Sequence, residues 1–219
     1  MSNSKKNIAN TEGTGKNKRK EILTQSARLF RKKGFSGTSM QDIANVVGIR
    51  KGSIYYYFSS KSEIFREVLN RGICPLLKNA EYIAASDLPP AEKLRELIRS
   101  HIHYIMHNSY SLVLFFQEKD KIPAEKIKHY VESRTKYENI FKASLARGIK
   151  EKVFPEVDVA FTIYAILGMC NWIVQWYNPK GSRAPQEIID HMVYLICDLM
   201  LNPNKTDEQK IGFGNGFIT

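Results

Sequence analysis

Residues 38–61 read TSMQDIANVVGIRKGSIYYYFSSK, and the spacing of caps, apolar positions and glycines in this stretch decides the fold. Ser39, followed three residues later by Asp42, is a capping-box pattern with Asp where Glu is preferred. Ile43, Ala44, Val46 and Val47 then carry a helix of about two turns, which Gly48 ends. Only Ile49, Arg50 and Lys51 separate that glycine from Gly52–Phe58, which has length for about two more turns before Ser59 and Ser60 interrupt it. Ser60 and Glu63 repeat the capping pattern, and Ile64, Phe65, Val68, Leu69 and Ile73 follow at helical spacing. Pro75 predicts a bend in this longer helix, because proline removes a backbone donor and crowds the preceding turn. Upstream, Ile22, Leu23, Ser26, Ala27, Leu29 and Phe30 place a helix from Lys18 onward that Gly34 closes. Two short helices joined at Gly48, with a third packed ahead of them, make a helix-turn-helix unit.

Beyond that unit the pattern stays helical, with breaks at Pro and Gly. The expected elements are Ala91–Asn108, Tyr110–Glu118, Ala124–Lys150, Val157–Tyr177 and Pro185–Leu201. No strand-period run bounded by turn residues appears, so the chain reads as all-α: an N-terminal three-helix unit followed by a C-terminal helical bundle. Residues 1–17 hold a single large apolar residue, Ile8, too little burial to offset the entropy of ordering, and read as a disordered basic arm. The expected organisation is this arm, the helix-turn-helix domain over 18–64, a ligand-binding and dimerisation domain over 65–202, and a flexible tail over 203–219.

In 219 residues, 43% apolar and 25% charged, there is enough apolar surface for a packed core. The cysteines Cys74, Cys170 and Cys197 form no CxxC pair, so neither a disulfide framework nor a zinc site has its ligands, and a reducing cytoplasm fits. The lysines near the start precede no apolar run of signal-peptide length. The longest apolar stretch, Phe161–Tyr177, is interrupted by Thr162, Asn171 and Gln175 and is read as too short for a membrane span, so a soluble cytoplasmic protein is expected. No nucleophile elbow, HExxH, P-loop or dinucleotide fingerprint occurs, which argues against an enzyme and against a cofactor.

Charge is distributed unevenly. Residues 1–61 carry 13 Lys/Arg against 3 Asp/Glu, a balance of +10, whereas residues 62–219 carry 20 against 19. A polyanion is the natural partner for such a block, since each cation that neutralises a phosphate releases a counterion. Arg50 and Lys51 stand where a helix begins, a position at which positive charge opposes the macrodipole and an external anion would relieve the conflict. Gly52 allows a phosphate to approach the backbone there. Successive helical residues differ by about 100°, so Tyr55, Tyr56 and Tyr57 cannot all face inward. Tyr55 in part and Phe58 wholly are read as core, leaving Tyr56 and Tyr57 to contact DNA.

The run GFSGTSMQDIANVVGIRKGSIYYYFSSKSEIF, with KRKEILTQSARLFRKKG before it, resembles the N-terminal domain of the TetR family of transcriptional regulators. Phe30, Gly34, Phe35, Thr38, Ile43, Ala44, Gly48, Gly52, Tyr55, Phe58 and Lys61 carry the resemblance, over about residues 18–68. It implies a homodimer whose second and third helices present a recognition helix to the major groove of a near-palindromic operator in double-stranded DNA. Carried over position by position, DNA contacts fall to Thr38, Ser39, Lys51, Gly52, Ser53, Tyr56, Tyr57 and Lys61. Arg50 departs from the family, which commonly has a Ser or Thr cap there, so that Arg50 is free to read a base or phosphate instead.

In the C-terminal half, Ala160, Ala165, Gly168, Cys170 and Cys197 lie among larger apolar residues, a pattern that suits close helix approach in a core or a dimer seam. The resemblance favours the seam. Tyr104, Phe115, Phe116, Tyr137, Phe141, Trp172 and Trp176 are the aromatic candidates for lining an apolar ligand cavity, with plain core packing as the alternative for each. The stretch NWIVQWYNPKGSRAPQEI resembles family members that control fatty-acid, acyl-thioester or steroid catabolism, which implies an acyl-CoA or lipid-like effector. His103 and His107, near His101, share a helix face, but no Cys, Asp or Glu stands at a matching position and no metal is expected. The sequence thus reads as a ligand-responsive regulator, most simply a repressor. Two alternatives remain open, an architectural DNA-binding protein without a ligand and an enzyme housed in the C-terminal bundle.

Overall fold

A computed structural model describes residues 3–108, 110–118 and 122–202, all helix, turn and loop with no strand among them. In chain order the helices are α1 (Asn3–Lys33), α2 (Met40–Val47), α3 (Lys51–Tyr57), α4 (Lys61–Ala85), α5 (Pro90–Asn108), α6 (Tyr110–Glu118), α7 (Lys128–Lys150), α8 (Val159–Trp176) and α9 (Pro185–Tyr194). A 3-10 turn, Ala124–Lys126, precedes α7, and a π-helical turn, Leu195–Met200, extends α9. The expected helices form with small shifts at their ends, and the largest difference is at the front, where the sequence predicts a disordered arm over residues 1–17. α1 begins at Asn3 rather than Lys18, because a segment poor in apolar residues and free of proline can still close backbone hydrogen bonds. The expected tail over 203–219 lies outside the described residues.

The chain divides into two compact units, Met1–Leu77 with Asn108–Lys136, and Lys78–His107 with Tyr137–Thr219. This differs from a boundary near residue 64, since most of α4 and all of α6 fold with the N-terminal helices. In the first unit Ile22, Phe30, Ile43, Ala44, Ile54, Phe58, Ile64, Phe65 and Leu69 are buried. Phe30, Phe35 and Phe65 form a trio with ring centroids 5.0 to 5.7 Å apart, Phe65 meeting each of the other two edge to face. α4 runs unbroken through Pro75.

In the second unit Leu94, Leu97, Ile98, Ile102, Phe141, Leu145, Ile163, Ile166, Ile173, Ile189 and Ile196 make the core. Arg95 pairs with Asp198 and Arg99 with Asp190, tying α5 to the C-terminal helix and its π turn. α8 turns Ile163, Ile166, Leu167, Cys170 and Ile173 inward and Phe161, Tyr164, Trp172 and Trp176 outward. By length and composition α8 is long and apolar enough to cross a membrane, which corrects the expectation that this stretch is too short.

Candidate nucleic-acid interface

Local chemistry builds the α2–α3 pair. The Ser39 side chain accepts from the Asp42 amide at 3.0 Å, and the Asp42 carboxylate accepts from the Ser39 amide at 2.8 Å, closing the capping box. The Ser39 hydroxyl also donates to the Asp42 carboxylate at 2.5 Å, and this bond, with Lys33 Nζ 3.0 Å away and the Ser39 amide, holds the Asp42 carboxyl well below the usual carboxylate range. Gly48 takes φ 71°, the left-handed conformation that ends α2 and turns the chain toward α3. The second capping signal divides between two serines. Ser60 accepts from the Glu63 amide, while the Glu63 carboxylate accepts from the amide and hydroxyl of Ser59, which lowers the Glu63 pKa.

α3 is seven residues long and anchored by Ile54 and Phe58, both buried. Arg19 closes this side, its guanidinium 4.4 Å from the Phe58 ring centroid and 3.4 Å from Glu67. With Ile54 inward, Tyr55 is half exposed; the buried pair is i, i+4 rather than the expected Tyr55 and Phe58. Tyr56 is 86% exposed and meets Tyr57 edge to face at 5.2 Å, Tyr57 being partly covered. Arg50, Lys51, Gly52 and Ser53 are all exposed. Arg50 occupies the N-cap position without making a side-chain cap. A Cβ on Gly52 would meet nothing, so no packing inside the protein calls for glycine there. Glycine inside a helix costs about 1 kcal/mol relative to alanine. The outward face of α3 thus combines two cations, a hydroxyl, an open backbone and a projecting phenol, a set able to contact phosphates and base edges.

Two of the expected contact residues lie elsewhere. Thr38 is 1% exposed, and its hydroxyl donates to the Gly34 carbonyl at 2.8 Å. Lys61 donates to the carbonyls of Phe35 and Thr38, both at 2.6 Å, with its ammonium 4.4 Å from the Phe35 ring centroid. Desolvation lowers the Lys61 pKa, opposed by the charges of Glu118 and Asp42. These side chains hold the turn between α1 and α2; they do not project from it. Sequence reasoning missed this use of Lys61 because the carbonyls it binds lie more than twenty residues away.

The seven aromatic candidates for a ligand site divide between the units. Phe115 and Phe116 belong to the first, where Phe115 is buried against Tyr130 at 4.7 Å and Phe116 is half exposed, with the Arg134 guanidinium 5.3 Å from one ring centroid and 5.8 Å from the other. In the second, Tyr137 and Phe141 are buried with ring centroids 5.1 Å apart, and Tyr104 is half buried. Trp172 and Trp176, expected inside, are exposed, because α8 fills its inner face with aliphatic residues. His101 is buried beside Tyr137, with Nδ1 2.8 Å from the phenol oxygen and Nε2 3.1 Å from Asn171 Oδ1. An amide oxygen only accepts, so Nε2 carries the proton and Nδ1 accepts from Tyr137. Burial drives the His101 pKa down to about 4, against the pull of Asn171. His103 and His107 are exposed with ring centroids 4.7 Å apart. Among the described residues no group of three His, Cys, Asp or Glu side chains is placed to hold a metal.

Comparison with known proteins agrees with this geometry. A family model described as bacterial regulatory proteins, tetR family, matches residues 22–68, and one described as tetracyclin repressor-like, C-terminal domain, matches residues 87–200. The HTH-type transcriptional repressor KstR2 of Mycobacterium tuberculosis is 30% identical over 179 residues, 80% of this chain and 89% of that protein. Among solved structures, the TetR family regulator PfmR of Thermus thermophilus has a TM-score of 0.72 at 32% identity, covering 80% of this chain and 96% of its own. The ketosteroid transcriptional regulator KstR2 of M. tuberculosis has a TM-score of 0.75 at 26% identity, covering 82% and 92%. The second family model spans α8, placing that helix inside a regulator's C-terminal domain. With both halves matched and the short helix after Gly48 presenting its polar face outward, the chain belongs to the TetR family and is a DNA-binding transcriptional regulator, not an enzyme.

Proposed function

We propose that the protein is a cytoplasmic repressor that binds a near-palindromic operator as a homodimer and is controlled by a small apolar effector of the acyl-CoA or lipid-like class. The outward face of α3 carries the reading. Ile54 and Phe58 fix the helix from within, leaving Arg50, Lys51, Ser53 and Tyr56 to enter the groove, with Ser39, Gly52 and Tyr57 beside them. Thr38 and Lys61 support the surface from behind. The outward aromatic stripe of α8, interrupted by an exposed Gly168, supports a two-fold helix seam. The effector class draws on the names of the KstR2 relatives, a repressor and a ketosteroid regulator, and on the buried aromatic pair Tyr137 and Phe141.

The test is selection of duplexes from random sequence by the full chain, followed by light scattering of the complex and mass spectrometry of small molecules that co-purify. Two half-sites about one helical turn apart, bound by a dimer, are expected. Binding without sequence preference would instead identify an architectural protein. On the selected duplex, Lys51→Ala is expected to weaken binding by about 1 to 3 kcal/mol per subunit and to change base preference near its contact. Tyr56→Ala should weaken all sequences alike. The slope of log K against log salt should be steep for wild type and shallower by about one for each phosphate contact removed. A salt-independent affinity would contradict the electrostatic reading of the +10 front end.

A further inference from the structure

α6 meets α4 at its start and the end of α1 at its end, each time at a glycine. At its start Ser111 lies so close to Gly72 of α4 that a Cβ on Gly72 would overlap the serine Oγ and Cβ. At its end Glu118, 2% exposed, brings Oε1 to 3.0 Å from the place a Cβ of Gly34 would occupy. Gly34 closes α1 at φ 75°, a conformation that strains any other residue, and a Cβ there would crowd the Glu118 carboxylate. A carboxylate buried this deeply needs donors or a cation nearby. The Glu118 carboxylate sits at the start of the turn whose carbonyls Lys61 binds, and its charge raises the pKa of that ammonium against the lowering effect of desolvation. That ammonium binds the carbonyls of Phe35 and Thr38, the turn that delivers Ser39 to cap α2. Lys61 is itself the first residue of α4. One ammonium therefore fixes α2 against α4, and a carboxylate on a different helix acts on that ammonium.

We propose that Glu118 is a positioning residue for DNA binding: from α6 it pre-organises Lys61 and the Gly34–Thr38 turn, and so sets the orientation in which α2 and α3 meet the groove. The inference rests on the DNA-binding assignment and is independent of the effector's identity. Binding is tighter when the reading surface is held in its bound geometry beforehand, because less freedom is lost on association.

The test uses Glu118→Gln in the full chain with a duplex selected by the wild type. Removing a negative charge from a DNA-binding protein ordinarily strengthens its hold on phosphate. Glu118→Gln is expected to do the reverse, weakening binding by about threefold to thirtyfold with an unchanged salt slope, since the interaction energy of coupled residues spans that range. Lys61→Gln should also weaken binding, and adding Glu118→Gln to it should cause no further loss. At the other end of α6, Gly72→Ala should weaken binding by displacing Ser111. Ser111→Gly in the same chain should restore it, leaving a backbone Cα 3.7 Å from the new methyl group. Equal or tighter binding by a folded Glu118→Gln, checked by circular dichroism, would overturn the proposal, as would full additivity with Lys61→Gln. Should Glu118→Gln fail to fold, the Gly72 and Ser111 pair decides: rescue supports the seat of α6, and its absence overturns it. A wild type that selects no duplex would overturn the DNA assignment and this inference with it.

Discussion

Replacing Trp172 by aspartate is expected to leave the protein monomeric at micromolar concentration and to reduce operator affinity by about a hundredfold or more. Phe161, Tyr164, Trp172 and Trp176 line one side of α8 and are between 50% and 74% exposed in the single chain. A contiguous aromatic stripe of this kind is rare on a surface that stays in water. Gly168 lies midway along it with open space over its Cα, which allows a second helix to approach closely. In a two-fold interface each substitution occurs twice, and loss of a central tryptophan costs about 2 to 4 kcal/mol. On the proposed dimer, loss of the seam would leave two half-sites without linked subunits and remove the gain from effective concentration. Light scattering with fluorescence anisotropy on one duplex measures both effects. A Trp172→Asp chain that remains a dimer with wild-type affinity would assign the stripe to another partner.

The second large effect is on acid stability. His101 is buried and neutral, with a pKa of about 4, whereas an unfolded histidine titrates at about 6.5. Below 6.5 the unfolded chain takes up a proton that the folded chain does not, so this stability is present in full above pH 6.5 and is lost as pH falls toward 4. The difference is worth about 3 kcal/mol. Denaturant midpoints at pH 7 and pH 4.5 measure it, compared with His101→Asn, which keeps a donor and an acceptor but does not titrate. The variant should be less stable at pH 7 and show a flatter pH dependence; equal slopes would remove His101 from the account. Asp42 and Glu63 have lowered pKa values, so their contributions persist above the usual carboxylate range and fade only as pH falls below it.

Much of this architecture was legible in the sequence because its signals are local. The Ser39–Asp42 box and Gly48 specify α2 to the residue, since a cap involves groups a few positions apart. The ends of α6 were likewise placed by short-range breaks. Which face of α3 turns inward was harder to read, because three tyrosines and a phenylalanine differ little in apolar character. The choice of Ile54 with Phe58 depends on neighbouring helices, with Arg19 of α1 lying over the Phe58 ring. Thr38 and Lys61 read as contacts from the family resemblance, yet their partners are backbone carbonyls of the Gly34–Thr38 turn. Glu118 carried no signal at all; its role depends on a long-range meeting with Gly34 that no periodicity encodes.

The partition of α3 bears on how such proteins diversify. Its two inward residues hold the helix, while Arg50, Lys51, Ser53 and Tyr56 touch little of the protein and can change with stability effects of about 0.5 kcal/mol or less. The absent N-cap at Arg50 extends that freedom to the first position of the reading face. A duplicated copy could therefore drift to a new operator through substitutions on one short helix, each nearly silent for folding. The address on the genome would change, while the machinery that answers the effector is inherited unaltered.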